Sequence, residues 1–176
     1  MSTKPLVGII MGSDSDLPVM KDAAEILEQL GVSSGIHTLS AHRTPAEVVE
    51  YVEKGEKDGY KVFICGAGGA AHLAGVVAAH TALPVIGVPI ENSATKGLDA
   101  LFSTVQMPPG VPVATVAING AKNAGILAAQ IIGAADESIR AKVVAYKKTL
   151  GAGVLAKDAN LQKNGFKKYL EEKGLI

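Results

Sequence analysis

A three-layer, doubly wound α/β fold is predicted by three features of this sequence. Short continuous apolar segments alternate with longer segments whose apolar residues recur at helical spacing. The apolar segments lack the alternation of a half-exposed strand, which is typical of a parallel sheet covered on both faces. The 176 residues suffice for a domain with a substantial core. We therefore expect a parallel sheet of about five strands between helices, plus C-terminal helices.

The first half of the chain supplies two strand–helix units. The first strand covers Pro5–Met11, and the helix after it covers Leu17–Gly31, with one face formed by Met20, Ala23, Leu27 and Leu30. The second strand covers Gly35–Ser40. The helix that follows is expected to bury Val48, Val49 and Val52.

The second half continues the alternation, with strands over Lys61–Gly66, Pro84–Ile90 and Val111–Ile118. Helices of mostly small and apolar residues are predicted over Ala67–Leu83 and Ala121–Gly133. Because these two helices are apolar almost all round, their outer sides need cover, which predicts a homo-oligomer.

The remaining residues have the pattern of one or two amphipathic helices. We expect two units: an α/β domain over residues 1–135, and a helical extension over residues 136–176. The extension is expected to pack on the same or a neighbouring subunit, because the α/β domain before it is complete without it.

Charge and composition exclude several classes of partner. Lys and Arg together number 17, as do Asp and Glu, so the chain lacks the basic excess that nucleic acid or an anionic membrane requires. Aromatic residues make up only 4%, which leaves little surface for nucleobase stacking. Cys65 is the only cysteine, the N-terminal apolar run is too short for a signal peptide, and no segment approaches a membrane span. We expect a cytoplasmic protein with no nucleic-acid and no membrane partner.

Three loops follow predicted strands, where doubly wound sheets bind their ligands. "GSDSD", Gly12–Asp16, offers hydroxyls and carboxylates at a helix N-terminus, which favours phosphate. Simple capping by Ser15 or Asp16 is the alternative, although one cap needs only one such residue. The loop lacks the spacing of a dinucleotide or ATP motif.

The glycine-rich "GAGGAAH", Gly66–His72, would let the backbone surround a planar ligand or a carboxylate. Close packing of a helix on a strand explains the same glycines equally well.

"SAHRTP", Ser40–Pro45, divides into two parts. Thr44, Pro45 and Glu47 fit a capping box with Thr44 at the N-cap. That leaves His42 and Arg43 in the turn, and these are the side chains suited to proton transfer and to binding phosphate.

A metal site is not expected. His72 and His80 would lie about 12 Å apart along one helix. His37 is predicted to pack within a strand, and Cys65 is predicted to be a small apolar core residue rather than a nucleophile.

Six segments within Pro5–Gly133 resemble one family in their order and intervals: "MGSDSD", "SAHRTP", "GAGGAAHL", "GVP", "STVQMPPGVPVATVAI" and "NAGILAAQI". They are similar to the N5-carboxyaminoimidazole ribonucleotide mutase family of purine (IMP) biosynthesis, the PurE type, class I. The chain departs from the family at Ala74, where proline is usual, and its "AINGAKNAG" is shorter than in some relatives.

The resemblance implies a flavodoxin-like catalytic domain over residues 1–135 and a homo-octamer that requires no metal and no cofactor. It also implies functional coupling to the ATP-dependent synthase that makes the N5 carbamate. The implied reaction converts N5-carboxyaminoimidazole ribonucleotide to 4-carboxy-5-aminoimidazole ribonucleotide by decarboxylation and recapture of CO2 at C4.

The resemblance also assigns roles by position. His42 would be the general acid/base. The ribonucleotide substrate would be bound by two sets of residues: Ser13, Ser15, Asp16, Ser40, Ala41 and Arg43 for the ribotide, and Gly68, Ala70, His72 and Leu73 for the migrating carboxylate.

Three alternatives remain open. A direct carboxylase would use free CO2 on the same fold; that branch resembles "SAHKT" and lacks the paired glycines, so Arg43, Gly68 and Gly69 favour the mutase. A non-catalytic sensor of nucleotide phosphate would not need His42. A flavodoxin-like electron carrier is disfavoured, because aromatic residues to sandwich a flavin are scarce.

Overall fold

In the part of the chain that the structure describes, the sheet has five parallel strands in the order β2-β1-β3-β4-β5. The computed structural model describes residues 4–92 and 94–175, so the outermost residues of the two predicted units, 1–3 and 176, lie outside the described residues. The strands are β1 Val7–Met11, β2 Ser34–Thr38, β3 Val62–Gly68, β4 Val85–Ile90 and β5 Ala114–Thr115. This order confirms the predicted doubly wound fold and places its topological switch between β1 and β3.

Within the described residues, six α-helices connect and cover these strands: α1 Leu17–Gln29, α2 Pro45–Asp58, α3 Leu73–Ala79, α4 Leu98–Val105, α5 Ala121–Gly133 and α6 Glu137–Glu172. Alternate residues of β1 point to two separate cores. Ile9 belongs to the core under α1 and α5, whereas Ile10 belongs to the core under α2 and α3. Both faces of the sheet are therefore covered, as the apolar strands predicted.

The predicted inner face of α1 is confirmed, since Met20, Ala23, Leu27 and Leu30 are all buried. The same face packs closely on α5. A Cβ atom built on Gly125 would lie 2.4 Å from Cγ2 of Ile26 and 2.8 Å from the carbonyl oxygen of Ala23. Only glycine fits at this contact, and it lets the two helices approach each other.

Several predicted boundaries are wrong. The predicted helix Ala67–Leu83 is shorter at both ends, because Ala67 and Gly68 pair with Pro89 and Ile90 as the end of β3. Gly69 then turns the chain at φ +64° before α3 begins at Leu73. The second strand ends at Thr38, two residues before the predicted limit at Ser40.

The fifth strand is reduced to Ala114–Thr115 within the predicted Val111–Ile118. Beyond it, isolated bonds from Val116 N to Gly87 O and from Asn119 N to Pro89 O keep the chain beside β4. Helix α4 was not predicted. The loop before α4 has left-handed φ values at Lys96 and Gly97, so the residues that precede the helix do not share its conformation.

Helix α6 begins at a cap in which the carboxylate of Asp136 accepts from Ile139 N at 3.1 Å. Its first turns bury Ile139 and Val143 in the α1–α5 core. Farther along, Leu150, Val154 and Leu155 are 53%, 64% and 71% exposed, and Gly165 interrupts the helix at φ 71°. The predicted amphipathic pattern thus produces a buried face only in the first turns. None of the helices in the described residues is both long and apolar enough to cross a membrane.

Candidate functional site

A cavity of about 510 Å³ lies at the carboxyl edge of the sheet, where the loops after β1, β2, β3 and β4 meet. Its lining includes all the predicted site residues: Ser13, Ser15, Asp16, Ser40, Ala41, His42, Arg43, Gly68, Ala70, His72 and Leu73. Five further residues line it that are not among the predicted site residues: Gly12 and Ala67, which lie within the predicted loops, and Ile90, Glu91 and Asn92, which do not. The structure thus brings the predicted residues together, while their roles stay predictions.

The loop after β1 presents to the cavity the hydroxyls of Ser13 and Ser15 and the carboxylate of Asp16. Ser13 caps a short 3-10 helix over Asp14–Asp16, accepting from Ser15 N at 3.3 Å. Asp16 is buried and accepts from the Ser15 hydroxyl at 3.3 Å, but its side chain does not cap α1 in the described structure. Burial raises the pKa of the Asp16 carboxyl, and the Ser15 hydrogen bond opposes that shift in part. This arrangement favours ligand binding over simple capping.

The loop after β2 is closed by Thr44. Thr44 is the N-cap residue and Pro45 follows it, as predicted, but the capping box is wrong. The Thr44 hydroxyl accepts from Ser40 N at 2.9 Å and donates to Ser40 O at 3.1 Å instead of bonding to the helix. Both bonds go to the backbone of Ser40, four residues earlier. The Thr44 hydroxyl therefore holds Ser40–Arg43 as a rigid turn.

Arg43 joins two loops of the site. Its Nη2 donates to Gly12 O at 2.5 Å, and its Nε lies 3.4 Å from the Ser40 hydroxyl. The backbone N of Arg43 also donates to that hydroxyl, at 3.3 Å. Among the described residues lining the cavity, Arg43 is the only lysine or arginine. The forked head is therefore positioned between the β1 and β2 loops, with donors left for an anion.

His42 meets His72 across the cavity. Nε2 of His42 lies 2.8 Å from Nδ1 of His72, and the rings meet edge to face at 4.9 Å. Such a contact requires that one nitrogen carries the hydrogen and the other offers a lone pair. Both side chains are exposed to the cavity, so a proton on His42 has a defined partner and an open route to a ligand.

The glycines of "GAGGAAH" serve two purposes. A Cβ on Gly66 would meet Sδ of Met20 at 2.4 Å, so this glycine is needed for packing. Gly69 has φ +64° and no described heavy atom within 4 Å of its Cβ position. Gly66 is thus needed for close packing, whereas Gly69 is needed for the turn that its positive φ makes between β3 and α3.

The residues set aside as non-functional lie away from the cavity. His37 is exposed and packs on Tyr51 at 4.6 Å between ring centroids, so its contact is made at the surface. Cys65 is buried, and burial raises the pKa of its thiol. His80 bonds to Val76 O at the end of α3. The described residues contain no cluster of three metal-ligating side chains.

A family model described as AIR carboxylase matches residues 6–152, which include every loop of the cavity. The chain belongs to the AIR carboxylase family.

Relatives of this AIR carboxylase family member are similar over nearly the whole chain. A protein of Thermotoga maritima named N5-carboxyaminoimidazole ribonucleotide mutase is 60% identical, over 96% of this chain and 99% of its own length. A protein of Pyrococcus horikoshii with the same name is 56% identical, over 97% of each. A Vigna aconitifolia protein named phosphoribosylaminoimidazole carboxylase, chloroplastic, is 51% identical over 94% of this chain but only 30% of its own length.

A solved structure has the same fold. The crystal structure of Treponema denticola PurE matches with a TM-score of 0.82 at 32% identity, covering 89% of this chain and 98% of that one. The family resemblance and the flavodoxin-like fold expected from the sequence are therefore both confirmed.

Proposed function

We propose that this protein is an N5-carboxyaminoimidazole ribonucleotide mutase of purine biosynthesis. It converts the N5 carbamate of the ribotide to 4-carboxy-5-aminoimidazole ribonucleotide. The observation that carries the proposal is the placement of His42 against His72, at 2.8 Å, in a cavity that also holds Arg43. Relatives at 60% and 56% identity bearing this name support it.

The phosphate of the ribotide binds between the loops after β1 and β2. Arg43 offers its remaining guanidinium donors there, and a charge-assisted, forked contact suits a phosphate better than a neutral donor does. The hydroxyls of Ser13, Ser15 and Ser40 lie in the same two loops and complete the anion site. The Asp16 carboxylate, with lone pairs to spare, accepts from the ribotide beside them.

His42 moves the proton in both halves of the reaction. It donates to the nitrogen system as the carbamate N–C bond breaks and CO2 leaves. The C4 carbon then attacks the CO2, and His42 takes the C4 proton to restore aromaticity. One proton is given and one is recovered, so no co-reactant is needed. His72 holds the His42 ring in place through their hydrogen bond.

The migrating CO2 must stay beside C4 until it is captured. The loop after β3 provides that space through Gly68 and Ala70, with Leu73 as an apolar wall. Leu73 is 2% exposed, so an apolar side chain fixed by its packing borders this part of the cavity.

The test is to offer the protein either the N5 carbamate, or free aminoimidazole ribonucleotide with bicarbonate, and to follow the product by proton NMR. We expect loss of the C4 proton signal with the carbamate. Turnover only with bicarbonate would favour the direct carboxylase, a possibility kept open by the name of the Vigna aconitifolia relative. Binding without turnover of either would favour a phosphate sensor.

We further propose a homo-octamer in the cytoplasm, coupled to the ATP-dependent synthase that makes the carbamate. Residues 1–135 would be the catalytic domain and residues 136–176 an extension reaching a neighbouring subunit. The exposed Leu150, Val154 and Leu155 on α6 support a contact there. Light scattering after size exclusion tests the octamer, and truncation after residue 149 should reduce its size.

A further inference from the structure

The loop after β4 forms a wall of the cavity that the proposed mechanism does not use. Glu91 lies in this wall, and its Oε2 accepts from Nδ2 of Asn119 at 3.1 Å. The Asn119 Oδ1 accepts in turn from Glu91 N at 3.0 Å. These two reciprocal bonds fix both the backbone and the carboxylate of Glu91.

Asn119 is itself held in an unusual conformation. Its φ is +57°, in the left-handed region that non-glycine residues seldom adopt. Its backbone N donates to Pro89 O at 2.8 Å, which anchors it to the end of β4. Asparagine is one of the few residue types that tolerate this region, so these hydrogen bonds hold its side chain in one position against Glu91.

Glu91 and Arg43 lie on opposite sides of the cavity. Arg43 follows β2 and Glu91 follows β4, and the strand order places β1 and β3 between them. Three strand spacings correspond to about 14 Å. Neither ion pair found in the described residues involves Glu91. The β2 side of the cavity therefore carries the positive charge of Arg43, next to the Asp16 carboxyl of the β1 loop, and the β4 side carries the negative charge of Glu91 with no cation beside it in the described lining.

The ribotide of the proposed function is anionic at both ends, with a phosphate at one end and a carboxylate at the other. A phosphate carries close to two negative charges near neutral pH, and a carboxylate carries one. The loop of Gly68 and Ala70 lies in the cavity wall beside His42 and His72, whose ring nitrogens are hydrogen-bonding groups that a reversed phosphate would meet. A fixed negative charge next to that loop repels the phosphate more strongly than it repels the carboxylate.

We propose that Glu91, positioned by Asn119, determines the direction in which the ribotide lies by excluding its phosphate from the β4 side of the cavity. This inference rests on the proposed function. The phosphate carries about one more negative charge than the carboxylate, and repulsion of that charge by Glu91 should change the ratio of the two binding directions by about tenfold.

The loss of an orienting group has a distinctive kinetic signature. A ribotide bound in reverse occupies the site without reacting, so kcat and KM fall by the same factor and kcat/KM stays unchanged. For Glu91→Gln, which keeps the size and the acceptor but removes the charge, we expect kcat and KM each to fall by up to about tenfold.

Asn119→Gly tests the positioning role separately. Glycine adopts a positive φ without strain, so this variant removes the side-chain bonds and keeps the backbone. We expect a smaller parallel fall in kcat and KM, and no further fall when the change is combined with Glu91→Gln. Lys96→Gly is the matched control, because Lys96 also has a positive φ, of 53°, but does not line the cavity. Its kinetic constants should equal those of the wild type.

Steady-state kinetics with the N5 carbamate test the orienting role of Glu91, and the wild-type protein is assayed first. A wild-type protein that does not turn over would refute the proposed function before any variant is compared. With an active wild type, unchanged constants in Glu91→Gln would overturn the inference. A raised KM would also overturn it, because Glu91 would then contact the productively bound ribotide. A lower kcat/KM with a lower melting temperature would show a merely structural role and would overturn it as well.

Discussion

Glycines at the α1–α5 contact and at the carboxyl edge of the sheet serve opposite purposes. At the first, a Cβ on Gly125 would lie 2.4 Å from Cγ2 of Ile26, so the neighbouring helix occupies the space that a side chain would need. At the second, the Cβ position of Gly12, which lines the cavity, has no described heavy atom within 4 Å, so the space stays open. Changes at the contact should therefore affect stability, and changes at the edge should affect ligand binding.

His42→Asn should produce the largest effect on the edge side of this comparison. Removal of a general acid/base lowers turnover by roughly 10²- to 10⁴-fold. Because His42 is exposed, the melting temperature should stay the same, and calorimetry should find ribotide binding little changed.

The control is His37→Asn, at an exposed histidine that lies outside the cavity against Tyr51. It should keep full turnover. Undiminished turnover in His42→Asn would contradict the proposed mechanism.

Arg43→Ala should weaken ribotide binding more than it slows turnover. Hydrogen bonds to a charged group contribute about 1.5–3 kcal/mol each, so KM should rise by roughly 10- to 100-fold. Steady-state kinetics with the carbamate measure the KM. Arg140→Ala removes an arginine that is paired with Glu137 on α6, and it should leave KM unchanged. An equal rise in both variants would mean that net charge, and not the position of Arg43, is responsible.

Gly125→Ala tests the packing side. The added methyl group would meet the Ala23 carbonyl oxygen at 2.8 Å, so backbone must shift. Overpacking of this kind costs about 1–3 kcal/mol, partly offset by the better helix propensity of alanine. Urea unfolding should show a net loss of stability, with KM unchanged.

Two matched alanine substitutions sharpen this test. Gly151→Ala lies in α6 with no described atom near its Cβ position, and it should stabilise the helix by about 0.5–1 kcal/mol. Gly12→Ala places a methyl group at the open edge of the cavity, and it should raise KM without loss of stability. If Gly12→Ala and Gly125→Ala had the same effects, the two kinds of glycine would not differ.

Asp16→Asn should give the smallest effect and a dependence on pH. Burial raises the pKa of this carboxyl above 3.8, so the ionised form is the one that folding disfavours. The wild type should lose stability relative to the variant as the pH rises through the folded-state pKa, and the difference should be constant above it. Urea unfolding between about pH 4 and pH 7 measures this difference. A wild type that gained relative stability with rising pH would show that the Ser15 hydrogen bond outweighs burial.

The parts of the fold that were predicted correctly depend on neighbours close in sequence. The buried face of α1 follows from residues three and four apart, and β1, β3 and β4 follow from continuous apolar runs. The errors arise where a competing hydrogen-bond partner or a neighbouring strand decides the outcome. The Thr44 hydroxyl was expected to cap α2, but Ser40 offers it two bonds at 2.9 Å and 3.1 Å. Only two residues of the predicted fifth strand pair with β4, because strand pairing depends on the partner as well as on propensity.

The site shows the same division. The motifs after β1, β2 and β3 contain every cavity residue that those loops contribute, and only Gly12 and Ala67 of these are not predicted site residues. Glu91 carried no local signal, because its partner Asn119 lies 28 residues away. A carboxylate and an amide that far apart in sequence are indistinguishable from ordinary surface residues until the sheet places the ends of β4 and β5 side by side.

The sequence by itself determined the order of the strands and of every helix except α4, the three loops predicted to carry the chemistry, and the family, since each depends on residue types within a short segment. Tertiary structure alone decided which loops meet. It brought His42 to His72, closed the cavity with Glu91 opposite Arg43, and separated the glycines that pack from those that leave space. These decisions depend on strand order and close packing, which are properties of the folded chain and of no single segment.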